Sequence, residues 1–153
     1  FPARSVLASA AIYGPLIALV ALAYIPSHGV SPALLSLLPL LALQLLLCVL
    51  LGYALAILAA ALRDTVQVIG FFLSVGIYLS PILFPLTLFP EAWRWVLWLN
   101  PMTAFVMAYQ SVLLLGAWPD SSVWIAALAW IAGLALVLNI LVKRSRDQLV
   151  DWL

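Results

Sequence analysis

From Ser5 to Leu62 the chain carries no Asp, Glu, Lys or Arg. A surface in water is not built that way, since a soluble domain draws about a quarter of its residues from those four types. The pattern recurs from Thr65 to Pro90, from Trp95 to Pro119 and from Ser121 to Val142. Over the whole chain 68% of residues are hydrophobic and 7% charged, and the mean hydropathy is +1.27. Disorder needs the opposite composition. A disulfide scaffold needs more than the single cysteine present, Cys48. These features imply an all-α integral membrane protein, because a helix satisfies its own backbone groups in hydrocarbon.

A bilayer core of about 30 Å takes about 20 apolar residues in a helix. Four stretches meet that length, which predicts spans over Ser5–Ile25, Leu38–Leu62, Val66–Leu86 and Ser122–Val142. The first is expected to stop at the turn-forming cluster Pro26-Ser27-His28-Gly29, the second at Arg63-Asp64 and the last at Lys143-Arg144-Ser145-Arg146. The third carries Ser80-Pro81 and Pro85 toward its far end.

Between the third and fourth spans, residues 87–119 hold Phe89-Pro90-Glu91, the tryptophans Trp93, Trp95 and Trp98, and Asn100-Pro101-Met102. The apolar run after Pro101 is short for a span, as in a re-entrant segment. Proline lacks a backbone donor and biases the residue before it away from helix. The region is therefore expected to form two short half-helices hinged at Asn100-Pro101, within a single transmembrane domain over residues 1–153.

Parity supports that arrangement. With four spans, Arg4, Arg63, Lys143, Arg144 and Arg146 share one side and only Arg94 lies on the other. The positive-inside rule then puts both chain ends in the cytoplasm. Counting the stretch after Pro101 as a fifth span would move the three tail cations outside. Trp93, Trp95, Trp98 and Trp118 fall at the outer interface, where indole rings prefer to sit. Small residues at four-residue spacing, Gly52, Ala56 and Ala60 in the second span and Ala129 and Gly133 in the fourth, mark expected helix-packing faces. The chain opens Phe1-Pro2-Ala3-Arg4 with no signal peptide, and an N-terminal truncation is expected.

Chemistry is sparse. There is no G-x-x-x-x-G-K-[ST] loop to cradle ATP phosphates, and His28 is the only histidine. The expectation is no catalytic residue, no metal ligand and no cofactor on this chain. A net charge of +1 with no basic stripe gives no sign of nucleic-acid binding. No ionisable residue lies inside a span, which disfavours an ion-coupled carrier. Gln44, Gln67, Gln110 and Asn139 are uncharged polar groups in or near spans, suited to interhelical hydrogen bonds. Arg63-Asp64 reads either as a contact for a cytoplasmic partner or as an interfacial stop with a local ion pair. The aromatic group Tyr78, Phe84, Phe89, Trp93, Trp95 and Trp98 reads either as an interfacial belt or as a stacking surface for a ring-bearing substrate such as a sugar.

Three strings in order, Leu62-Arg63-Asp64, Tyr78-Leu79-Ser80-Pro81-Ile82 and Leu99-Asn100-Pro101-Met102, resemble the ABC-2 type permeases. The likeness is to the branch that exports lipid-linked polysaccharides: O-antigen, capsule and teichoic acid. Phe1-Pro2-Ala3-Arg4 is similar to the segment after that family's coupling helix, and Lys143–Leu153 to its basic C-terminus. Family members carry an N-terminal amphipathic helix and two further spans in front of the segment seen here. The resemblance implies a permease homodimer bound to two ATP-binding cassette subunits, which hold ATP and Mg, in the bacterial cytoplasmic (inner) membrane. It implies a channel exit near Tyr78, Ser80, Pro81, Trp93, Trp95, Trp98, Asn100, Pro101 and Met102, and an ATPase-side contact at Arg4, Arg63 and Asp64. The substrate would be a lipid-linked glycan moving among membrane lipids. Two alternatives stand beside it: export of a smaller amphiphile or drug, and a membrane scaffold that transports nothing.

Overall fold

The computed structural model describes residues 2–28, 31–61, 65–78, 80–82 and 88–150. All regular structure among them is helical. The first helix, α1 (Pro2–His28), runs three residues past the expected stop and continues through Pro15 and Pro26. Membrane helices tolerate such prolines where neighbours or local adjustments satisfy the freed carbonyl. A 3-10 turn (Pro32–Ser36) then leads into α2 (Leu37–Ala61). Its N-cap, Ser31, accepts from the backbone N–H of Ala33, and Pro32 takes the first position, where no donor is needed.

The third helix, α3 (Thr65–Tyr78), is 14 residues long, where hydropathy alone suggested a span reaching Leu86. Pro81 accounts for the early stop: it has no N–H for the ladder and disfavours helix at the residue before it. A short 3-10 turn (Glu91–Trp93) and α4 (Arg94–Leu97) follow, then α5 (Pro101–Leu115) and α6 (Ser121–Val150). Three helical stretches are long and apolar enough to cross a membrane: Pro2–Val20, Pro32–Ala60 and Ser121–Lys143. Glu91–Leu97 and Pro101–Leu115 pass the same test only as a pair, and they meet at 107°. Length and composition thus support three spans, or four if the bent pair counts as one.

The core lies where α2, α5 and α6 meet. Leu40 and Leu47 of α2 pack with Ala104, Phe105, Ala108 and Val112 of α5 and with Val123, Ala127 and Ile131 of α6. The i, i+4, i+8 spacing of Ala104, Ala108 and Val112 puts one stripe of α5 into that core, and Val123, Ala127 and Ile131 do the same for α6. The expected small-residue faces need correcting here. Ala56, Ala60, Ala129 and Gly133 are exposed. In a chain so rich in alanine, small size alone does not select the packed side. Only Gly52 meets another helix closely, since a Cβ there would come within 3.1 Å of the Pro2 Cβ.

That contact, with Ser5–Ile17 facing Leu41–Cys48 across a cleft of about 350 Å³, makes α1 and α2 antiparallel. Gly116, just after α5, lies beside Ser31, just before α2. Hence α6 starts at the same end of the bundle as α2, and the two run side by side.

Candidate functional site

The seam between α3 and α5 brings together two side-chain hydrogen bonds and a buried hydroxyl. Just past the end of α3, the Ser80 N–H donates to the Ile77 carbonyl at 3.3 Å. An unbroken helix would direct that N–H to Gly76, four residues back. The Gly76 carbonyl is left for another donor, and the side-chain amide of Asn100 supplies it at 2.7 Å. One turn further on, the Pro81 carbonyl accepts from the Gln110 side-chain amide at 2.8 Å. Ser80 itself is buried, 1% exposed, and its hydroxyl has no hydrogen-bond partner among the described residues.

Asn100 serves two elements at once. Its Oδ1 accepts from the Met102 N–H at 3.0 Å, capping α5, while its Nδ2 holds α3. The bend on its other side is firmly closed. The Thr103 hydroxyl donates to the Leu97 carbonyl at 2.6 Å, and the Asn100 N–H reaches the same carbonyl at 3.2 Å. Trp130 of α6 donates its indole N–H to the Trp98 carbonyl at 3.1 Å. Midway along α5, the Tyr109 hydroxyl donates to Oε1 of Gln44 in α2. At the far end Gly116 adopts a left-handed conformation, φ 59°, and its carbonyl accepts from the Ser31 hydroxyl at 2.7 Å. The elbow between α4 and α5 is therefore a built, tied joint.

The expected exit residues fall into three groups. Ser80, Pro81 and Asn100 meet on the seam, with Pro101 as the first residue of α5. Trp98 and Met102 pack against the core. Tyr78, Trp93 and Trp95 are exposed, at 65%, 59% and 60%. Trp93, Trp95 and Trp98 form no ring pair with one another. The described close ring pair is Phe71 with Phe72 on α3, centroids 5.9 Å apart and edge-to-face. Beside the exposed tryptophans, Arg94 pairs with Glu91 at 3.4 Å. On the proposed ATPase side, Arg4 is exposed in the first turn of α1, while Arg63 and Asp64 lie outside the described residues.

Gln110 and Ser31 complete the joint, and neither stood among the exit candidates. Gln110 was legible only as a polar group near a span. Ser31 carried one signal, the Ser-Pro pair of a helix start. Among the described residues no group of three or more His, Cys, Asp or Glu is placed to hold a metal ion.

No curated protein and no solved structure matches the chain. The model of the ABC-2 type transporter family matches residues 3–114, which takes in α1 to α5 up to the last residues of α5, with the seam and all three motif strings. That match covers well over half of the sequence, and the helices it spans are those of a multi-pass membrane protein. The chain belongs to the ABC-2 type transporter family, as the membrane domain of a transport system.

Proposed function

We propose that the chain is the permease subunit of an ATP-driven exporter that moves a lipid-linked polysaccharide across the bacterial cytoplasmic membrane. Family membership carries the transport role. Hydrolysis falls to a separate ATP-binding cassette subunit, docked on the face that holds Arg4, Arg63 and Asp64, and a second copy of the permease completes the pathway.

In this reading α4 and α5 form a re-entrant exit element. The direction of the helices supports it. Because α2 and α6 start from one end, the chain between them makes one net crossing, which this reading gives to the α3 segment, with the bent pair entering and leaving on one side. That is consistent with both ends of the fragment lying on one side of the membrane, and the distribution of cations supports reading that side as the cytoplasmic one. The glycan assignment is supported by the exposed rings of Tyr78, Trp93 and Trp95, whose faces suit the C–H faces of sugar rings.

The test is surface polysaccharide in a permease-null strain complemented with Tyr78→Ala, Trp93→Ala or Trp95→Ala, normalised to inserted protein. Reduced surface glycan with normal ATPase association is the expected result. Normal export from all three removes the aromatic support and leaves the glycan unassigned.

A further inference from the structure

The helix α3 is the least embedded part of the bundle. Val68, Phe71, Phe72, Leu73, Ile77 and Tyr78 are all exposed, and only Ile69, Val75 and Gly76 are partly covered among residues 67–78. Its packing partner is α2, to which it is joined by a short connection at the opposite end from Tyr78. By contrast α5 is set in the core through Phe105, Ala108 and Val112. The outer end of α3 and the turn at residues 80–82 that follows it are thus held to a fixed neighbour largely by two polar bonds, Asn100 to the Gly76 carbonyl at 2.7 Å and Gln110 to the Pro81 carbonyl at 2.8 Å.

Those bonds lie ten residues apart on α5, about 15 Å along its axis. Two attachments so far apart set the direction of α3 as well as its position. Water is scarce at this depth, so a freed carbonyl must find another donor. Apolar lipid offers none. A hydroxyl-bearing molecule offers many, and the seam already holds one unpartnered hydroxyl, that of Ser80.

We propose that Asn100 and Gln110 latch α3 against α5, and that hydroxyl groups of a passing substrate take their place as donors when the seam opens. This rests on the reading of α4 and α5 as the exit element, and it names the chemistry that the exit recognises: a polyhydroxylated molecule.

The test places a cysteine at position 80, in the full transporter in native membranes with Cys48→Ala, and follows its labelling by an impermeant maleimide. With the latch intact, Ser80→Cys is buried and slow to react. Adding Asn100→Ser and Gln110→Leu should raise its rate at least tenfold, while Ala127→Cys, in the α2–α5–α6 core, stays unreactive. Serine still caps α5 but is too short to reach α3. Gln110→Asn alone, which keeps the amide but shortens it, repeats the measurement with the smallest perturbation and should give a several-fold rise. Unchanged labelling in both overturns the latch.

Dextran oligosaccharide should accelerate labelling of the latched protein several-fold, and permethylated dextran of equal length should not. Equal effects of the two overturn the replacement by hydroxyl donors. Release of position 80 with unaltered surface glycan in cells carrying both Asn100→Ser and Gln110→Leu would sink the exit reading and leave the latch standing.

Discussion

Gly116 is the described residue with a left-handed backbone, φ 59°, and it is where α5 must stop. Its own N–H and that of Ala117 both turn back to the Ser111 carbonyl, a helix ending that favours glycine. A Cβ at this φ costs about 1–2 kcal/mol, so Gly116→Ala should lower the thermal unfolding midpoint in detergent, and Gly116→Asn should lower it less. Ser80 poses the reverse case. A buried hydroxyl without a partner is a cost to folding of about 1–3 kcal/mol. Ser80→Ala is therefore expected to leave the midpoint unchanged or raised. If the hydroxyl serves a substrate at the seam, surface glycan falls in the same variant. A lowered midpoint would show that Ser80 has a stabilising role.

At the scale of elements, the chain uses one device twice. Ser31-Pro32 and Asn100-Pro101 each start a helical segment with a cap followed by proline. Each cap accepts from the N–H two residues on, and each spends its own donor on a distant carbonyl, Gly116 for Ser31 and Gly76 for Asn100. Asn100→Ala loses both bonds, and the cap alone is worth about 1 kcal/mol. Asn100→Asp keeps the cap and loses only the amide that holds α3. The midpoint should fall further in the alanine variant, while both release α3. Comparing the two by thermal unfolding and by labelling at position 80 separates the capping role from the tie.

The molecule as a whole is a bundle of α2, α5 and α6 with α1 and α3 laid against it. The proposed orientation in the membrane rests on the distribution of cations. Cysteines at Arg63 and Trp95 should be labelled by an impermeant reagent from opposite faces, and labelling of both from one face would refute the four-pass arrangement. The three tryptophans should also part company. Trp98 packs on the core and its carbonyl is tied to Trp130, so Trp98→Ala should lower stability and inserted protein. Trp93→Ala and Trp95→Ala remove exposed rings and should leave stability near that of the parent.

The sequence by itself determined the class of the protein. Charge-free runs such as Ser5–Leu62 have no stable arrangement in water, and their lengths match the bilayer. Hence α1 and α2 were legible to within about three residues at each end and α6 at its start, whereas α6 continues through the expected stop at Lys143-Arg144-Ser145-Arg146 to Val150. The break at Asn100-Pro101 was legible too, because proline acts on its own backbone whatever surrounds it. Only the tertiary structure decided which faces pack, since spans that are apolar all round carry no stripe to mark an inside. It also decided what the polar groups do. Gln110, Asn100 and Ser31 bond to carbonyls 29, 24 and 85 residues away, and no local pattern encodes a partner at that distance. The shortened α3 had the same origin: Pro81 announced a break, but the carbonyls of Gly76 and Pro81 that the break frees are satisfied by Asn100 and Gln110, which only the tertiary structure brings there.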